Sequence, residues 1–282
     1  MAANKLRVIL LTHGGAEDVL TQLCSLDCVE VVGVFVENAR KPPRTFAQRI
    51  KRSIRYDGYL ITVGKLLRTV SRTQVPAASQ SKPNDLEVLK CIAEQNHIPY
   101  YSLDDYHAPE SIELLSSFNP DLGVGFGTNI LKQSVFGIPK LGTINFHNGL
   151  VPYYRGGPPI FWELFNGDSK LGLTVHWMAA QVDAGDIILQ ETVPLQYDFS
   201  FDLDFESFIN DYRAKLTGKF AQFMAKAVVA IAKGEAQRIA QDPTLGKRYR
   251  LPIKREKNEL RRRLKKRRRL SKIAHKPAKA TE

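Results

Sequence analysis

The chain has 282 residues, 41 Lys and Arg against 29 Asp and Glu, a net charge of +12 and a hydrophobic share of 43%. That composition excludes a disordered chain, and no window of about 18 apolar residues could span a bilayer. Three cysteines, Cys24, Cys28 and Cys91, lack paired spacing, and the first residues lack the basic and apolar segments of a secretion signal. Neither a disulfide framework nor a cysteine zinc site is expected, and the setting expected is the reducing cytoplasm.

In chain order, the apolar run Leu6 to Leu11, a short helix over Ala16 to Ser25 and the β-branched run Val29 to Val36 form a β-α-β opening with strands buried on both faces. Helices are predicted over Asp85 to Gln95 and Ala108 to Ser117, with strands over Pro99 to Leu103, Leu122 to Phe126 and Leu141 to Phe146. Alternating strands Leu171 to Met178 and Ile187 to Leu195 follow, then a long helix from Phe205 to Lys233. Strand and helix alternation predicts an α/β fold: a Rossmann-like, mostly parallel sheet with helices on both faces, a C-terminal helix and a basic tail.

The charge is uneven. Lys247 to Lys276 carries +14 and Arg40 to Arg72 carries +9, which leaves the remaining body at −11. The expected organisation is a catalytic domain over 1–235, with a basic insertion at 40–78, and a flexible basic tail over 236–282. Within the insertion, Phe46, Ile50 and Ile54 recur every four residues among Arg44, Arg49, Lys51, Arg52 and Arg55. Such a helix suits either a lid packed on the domain or an anionic membrane surface met through 44–55, which would place the protein peripherally at the membrane. The run over 247–276 suits non-specific contact with nucleic-acid phosphates.

Chemistry-bearing residues concentrate between Gly142 and Asp186. Asn145 and His147 stand two apart at a strand end, so an amide donor and an imidazole project to the same side. Such a pair can hold an oxyanion and exchange a proton, and an aspartate from a second loop can fix the imidazole tautomer and raise its pKa. The Asn-x-His segment with Leu-x-Pro, followed about 36 residues on by Asp183-Ala-Gly185-Asp-Ile, resembles the folate-dependent formyltransferase family.

That resemblance implies transfer of a formyl group from N10-formyltetrahydrofolate, as co-substrate, to the primary amine of a small acceptor, without a metal. Asn145, His147 and Asp183 match the family's catalytic trio. Asn145 would donate to the oxyanion, while Asp183 would hold a protonated His147. Phe126, Thr128, Asn129, Ile130 and Leu131 match its pterin-binding loop, and Gly185 would let the backbone approach the pterin closely. His176 matches a histidine often found beside the site, and Arg155 is a candidate for binding an acceptor phosphate or carboxylate. Gly149 stands where the family usually has Ser, and Asn129 replaces a common Arg. Glu17 and Asp18 open the first helix and would repel a phosphate placed there, which disfavours a glycinamide ribonucleotide acceptor. An amino sugar or related amine is the expected acceptor. The alternatives are methionyl-tRNA, hydrolysis of formyltetrahydrofolate, and a non-catalytic binding protein on this fold.

Overall fold

The computed structural model describes residues 5–38, 45–70, 83–197, 204–242 and 244–274. Strands β1 (Leu6–Thr12), β2 (Val29–Glu37), β3 (Tyr100–Leu103), β4 (Leu122–Phe126), β5 (Thr143–His147), β7 (Lys170–Trp177) and β8 (Ile187–Pro194) form one sheet in the order β3-β2-β1-β4-β5-β7-β8. The first five are parallel, while β7 and β8 run antiparallel. The direction of travel along the sheet reverses between β1 and β4, and the loops leaving the carboxyl ends of such strands frame a crevice in folds of this kind.

An all-apolar strand is what a sheet covered on both faces requires. In β1, Val8 and Leu10 join the larger core, whereas Ile9 and Leu11 join a smaller core on the opposite face. Helices α1 (Glu17–Cys24), α4 (Pro83–Gln95) and α8 (Phe205–Ala232) close the first face. Helices α5 (Pro109–Ser117) and α6 (Gln133–Phe136) contribute Leu115 and Val135 to the second. The expected elements are found with ends shifted by one or two residues. The fold class is as expected, including the C-terminal helix.

The insertion folds as a helical hairpin of α2 (Phe46–Asp57) and α3 (Tyr59–Val70); the second helix was not expected. Thr45 and Gln48 form a reciprocal capping box at the start of α2. No residue of α2 is buried: of the apolar stripe, Phe46 is 67% and Ile54 41% exposed, and Ile50 is half-buried. Residues 39–44, Arg44 among them, and 71–82 lie outside the described residues.

The expectation of a flexible tail is corrected by the C-terminal segment. Strand β9 (Lys247–Tyr249) pairs in parallel with β6 (Tyr154–Gly156), and α9 (Lys254–Ala274) packs against α7 (Phe161–Asn166). Leu260 and Leu264, one turn apart and therefore on one helix face, are fully buried in the main core. The arginines are themselves part of the seam. Arg263 donates to the Phe165 carbonyl at 2.7 Å and lies 4.1 Å from its ring centroid, and Arg267 donates to the Leu164 carbonyl at 2.9 Å. Two leucines suffice as anchors because guanidinium groups cap helix carbonyls and cover aromatic faces. Residues 275–282 lie outside the described residues.

Candidate active site

The cross-strand register builds the site. Asn145 of β5 sits opposite His176 of β7, and His147 opposite Thr174. The loop after β7 returns Asp183 to this edge with a positive φ of 53°, which Asp tolerates better than a branched residue. Its carboxylate is divided between two imidazoles, Oδ2 lying 3.4 Å from His147 Nδ1 and Oδ1 lying 3.4 Å from His176 Nε2. The Gly156 N–H of β6 donates to Oδ2 at 2.8 Å. Gln241 pins the same loop from beyond α8, donating to the Asp183 carbonyl at 3.1 Å and the Gly185 carbonyl at 2.7 Å. A boundary at 235 would therefore cut through contacts that hold Asp183.

Burial pushes the Asp183 carboxyl up, but the contact with His176, the neighbouring His147 and the Gly156 N–H outweigh it and hold the pKa down to about 2. His147 shifts the other way from the expectation. Burial lowers its pKa and outweighs the opposing pull of Asp183 and of the Tyr154 carbonyl, so the ring is neutral at neutral pH. Its tautomer is fixed by the Tyr154 carbonyl 2.6 Å from Nε2, since a carbonyl only accepts. Nδ1 is left as the basic nitrogen, facing the ionised Asp183 at a separation longer than a normal hydrogen bond. Asp183 thus does not hold the resting imidazole charged. It waits beside the nitrogen that would become charged.

Thr128, Asn129, Ile130, Leu131, Asn145, His176 and Asp183 line one cleft of about 250 Å³. Asn145 Nδ2 lies 3.5 Å from His176 Nε2, a long contact that leaves the amide able to turn to a ligand. Asn129 does not present a free amide: it donates to Glu37 Oε2 at 2.8 Å, tying the loop after β4 to the end of β2. The other expected residues lie elsewhere. Phe126 packs on Phe146 with ring centroids 5.8 Å apart, half-buried against the main core. A Cβ on Gly185 would meet the Trp177 carbonyl at 1.9 Å, so this glycine answers to the strand beside it. Arg155 and His147 border a separate small cavity behind Gly156.

Three features went unread in the sequence: the tautomer-setting Tyr154 carbonyl, the Gly156 N–H and buried Glu163. Only the last left a signal, a lone carboxylate in the apolar run Phe-Trp-Glu-Leu-Phe. Among the described residues, Glu37, Asp105 and His107 bring ligand atoms within 4.8 Å of one another. Both nitrogens of His107 are already engaged, Nδ1 with Asp105 and Nε2 with the Lys132 N–H.

The sequence profile of a family described as formyl transferase matches residues 44–202, more than half of the chain. The chain is 37% identical over 174 residues to a methionyl-tRNA formyltransferase of Halalkalibacterium halodurans, covering 61% of this chain and 52% of that protein. It is 32% identical over 180 residues to the Clostridioides difficile methionyl-tRNA formyltransferase, covering 63% and 55%. It spans about half the length of these curated relatives. Among solved structures, glycinamide ribonucleotide transformylase 1 from Symbiobacterium toebii superposes with a TM-score of 0.54 at 16% identity, over 83% of this chain and 94% of that one. A 4-N formyltransferase from Francisella tularensis gives 0.51 at 19% identity, over 86% and 76%. Identities this low speak for the shared fold alone.

Proposed function

The chain belongs to the formyl transferase family, and from that premise we propose that it transfers a formyl group from N10-formyltetrahydrofolate to a primary amine, with Asn145, His147 and Asp183 at the reacting centre. The observation that carries this reading is the Asp183 carboxylate shared between His147 and His176 at the wall of the cleft that Asn145 also lines.

Thr128, Ile130 and Leu131, facing Met178 and Val182, give that cleft an apolar wall with a few polar groups, which suits a flat heteroaromatic ring. The co-substrate supplies a formyl carbon already activated on nitrogen. Asn145 is the amide donor for the oxygen that gains charge as the amine adds. His147 Nδ1 takes the proton released by the amine nitrogen, and Asp183, ionised and adjacent, stabilises the imidazolium so formed; as the tetrahedral adduct collapses, the bond from the formyl carbon to N10 breaks and the imidazolium returns its proton to N10, releasing tetrahydrofolate and the formylated amine. The Tyr154 carbonyl keeps the other nitrogen protonated, so Nδ1 rather than Nε2 receives the proton.

Two acceptor classes are proposed. An amino sugar on an anionic membrane surface is supported by the exposed face of α2 and α3, where Phe46, Ile54 and Leu60 stand among Arg49, Lys51, Arg52 and Arg55. On this reading the protein acts in the cytoplasm, peripherally at the membrane. The amino group of methionyl-tRNA is supported by the names of the relatives, and the exposed Lys265, Lys266 and Arg269 of α9 suit RNA phosphates. The test offers the purified protein formyltetrahydrofolate with methionyl-tRNA and, separately, with nucleotide-linked amino sugars. Formylated product identifies the acceptor. Formate without formylated amine shows a hydrolase, and no consumption of the co-substrate overturns the reading.

A further inference from the structure

Beyond α8 the chain runs back along the start of β8, where Ile239 and Ile187 exchange two backbone hydrogen bonds of 3.0 and 2.8 Å. Ile187 is itself paired with His176 in the β7–β8 ladder. Two residues past this bridge, Gln241 meets the loop that carries Asp183. Its Nε2 donates to the carbonyls of Asp183 and Gly185 at 3.1 and 2.7 Å, which matches the two N–H bonds of a side-chain amide. Among the described residues, no backbone N–H donates to either carbonyl. Arg238 lies 4.1 Å from the Trp177 ring centroid, so the segment is fastened on both sides of Ile239.

We propose that Gln241 is a positioning residue for Asp183: by holding the main chain on either side of Ala184, it keeps the carboxylate between the imidazoles of His147 and His176. The inference rests on the reading that Asp183 supports the imidazolium formed at His147. Both carboxylate–imidazole separations are 3.4 Å, longer than a normal hydrogen bond, so the rings themselves hold the carboxylate only weakly. The Gly156 N–H fixes Oδ2 from one side. The main chain of residue 183 needs its own restraint, because its φ of 53° is a conformation that a residue with a side chain keeps only when its surroundings enforce it. The two bonds from Gln241 supply that restraint. A misplacement of about 1 Å at a reacting centre can cost about a hundredfold in rate, so a contact to the backbone is enough to matter.

The position of the carboxylate can be read at His147. Burial lowers the pKa of the ring, and the charge of Asp183 opposes that lowering. If the loop drifts outward the support weakens, and the ring takes its proton only at lower pH. The other groups that face His147 do not touch Gln241. They are the Tyr154 carbonyl of β6 on Nε2, His176 of β7 across the carboxylate, and Arg155 and Glu163, which border the same small cavity as the ring. Methionine matches glutamine in length but donates no hydrogen bond, so it separates the packing of Gln241 from its donation to the loop.

The test follows the His147 ring signals in 15N-histidine-labelled full-length protein from pH 4 to 9, assigned by their loss in His147→Gln. In Gln241→Met the protonation midpoint is expected below that of the wild type, and in Asp183→Asn at least as low. The deciding sample is the double variant. On the Asp183→Asn background, Gln241→Met should add no further shift, because the carboxylate through which it acts is gone. An unmoved midpoint in Gln241→Met, or an equal shift with and without the carboxylate, overturns the proposal. Should Gln241→Met not fold, Gln241→Ala, which also removes the donor, gives the same comparison. The measurement needs no turnover. Failure of the positioning is therefore distinguishable from failure of the catalytic reading, which shows instead as full activity in Asp183→Asn.

Discussion

Gly156 donates its N–H to Asp183 Oδ2 at 2.8 Å, and the same glycine is paired with Tyr249 in the short β6–β9 ladder. The Asp183 carboxylate is thereby wired to the C-terminal segment through one strand. Trp162, which borders the small cavity behind the ladder, donates its indole N–H to the Arg250 carbonyl at 2.9 Å.

Removal of residues 247–282 is expected to cost activity as well as stability. The truncation strips β9 from β6 and uncovers the core surface that Leu260 and Leu264 fill. In the full chain, Leu264→Ala should destabilise by about 2–5 kcal/mol, as for other fully buried leucines. Denaturant unfolding checks the second figure. Wild-type turnover in the truncated protein would show that the ladder does not hold Asp183.

His147→Ala and Asp183→Asn should each reduce formyl transfer at least about a hundredfold while the fold survives. Asn is the informative replacement at 183 because it tolerates the positive φ there, so the loss reports charge rather than backbone strain. Far-ultraviolet circular dichroism and a melting curve on the same samples check the second half of the expectation.

Gly149→Ser, which restores the residue common in the family, should impair this protein. A Cβ at 149 would lie 2.5 Å from His147 Nε2 and 2.7 Å from the Tyr154 carbonyl, inside the hydrogen bond that fixes the ring's tautomer. Overpacking of this kind costs about 1–3 kcal/mol, and the displaced imidazole should lower kcat more than it raises KM. A variant as active as the parent would mean that the ring shifts without consequence.

Glu163 should give the stability curve a distinct pH dependence. Its carboxyl is raised from an ordinary 4.5 to about 7, so between those values the folded state binds the proton more than the unfolded chain does. The contribution is complete below pH 4.5 and is lost as pH rises through 7. The shift corresponds to roughly 3 kcal/mol at most. Relative to Glu163→Gln, the wild type should therefore lose about that much unfolding free energy between pH 4 and pH 8, measured by urea denaturation.

The α2–α3 hairpin should bind vesicles rich in anionic lipid, more weakly as salt rises, because screening shortens to about 8 Å at physiological ionic strength. Leu60, 83% exposed, and Phe46, 67% exposed, are the expected anchors. Replacing both by Asp should abolish sedimentation with vesicles and leave turnover on a soluble acceptor unchanged. Equal binding by the double variant would remove the hairpin from the membrane reading.

The strands, the helices and the pairing of Asn145 with His147 were legible because each depends on periodicity or near-neighbour spacing, which a local reading captures. A run such as Leu6 to Leu11 has few ways to bury itself other than inside a parallel sheet. What only the tertiary structure decided depends on groups far apart in the chain. The protonation of His147 is the clearest instance: Asp183 alone argues for a charged ring, and burial contributed by the packed body reverses it. The C-terminal segment is another. Its composition reads as solvated charge, yet two leucines one turn apart and arginines that meet Phe165 and the carbonyls of α7 dock it on the core, because a helix turns scattered residues into a single face. The tautomer of His147 and the setting of Glu163 rest on a backbone carbonyl and a cavity wall, which leave no mark in residue order and exist only once the chain has folded.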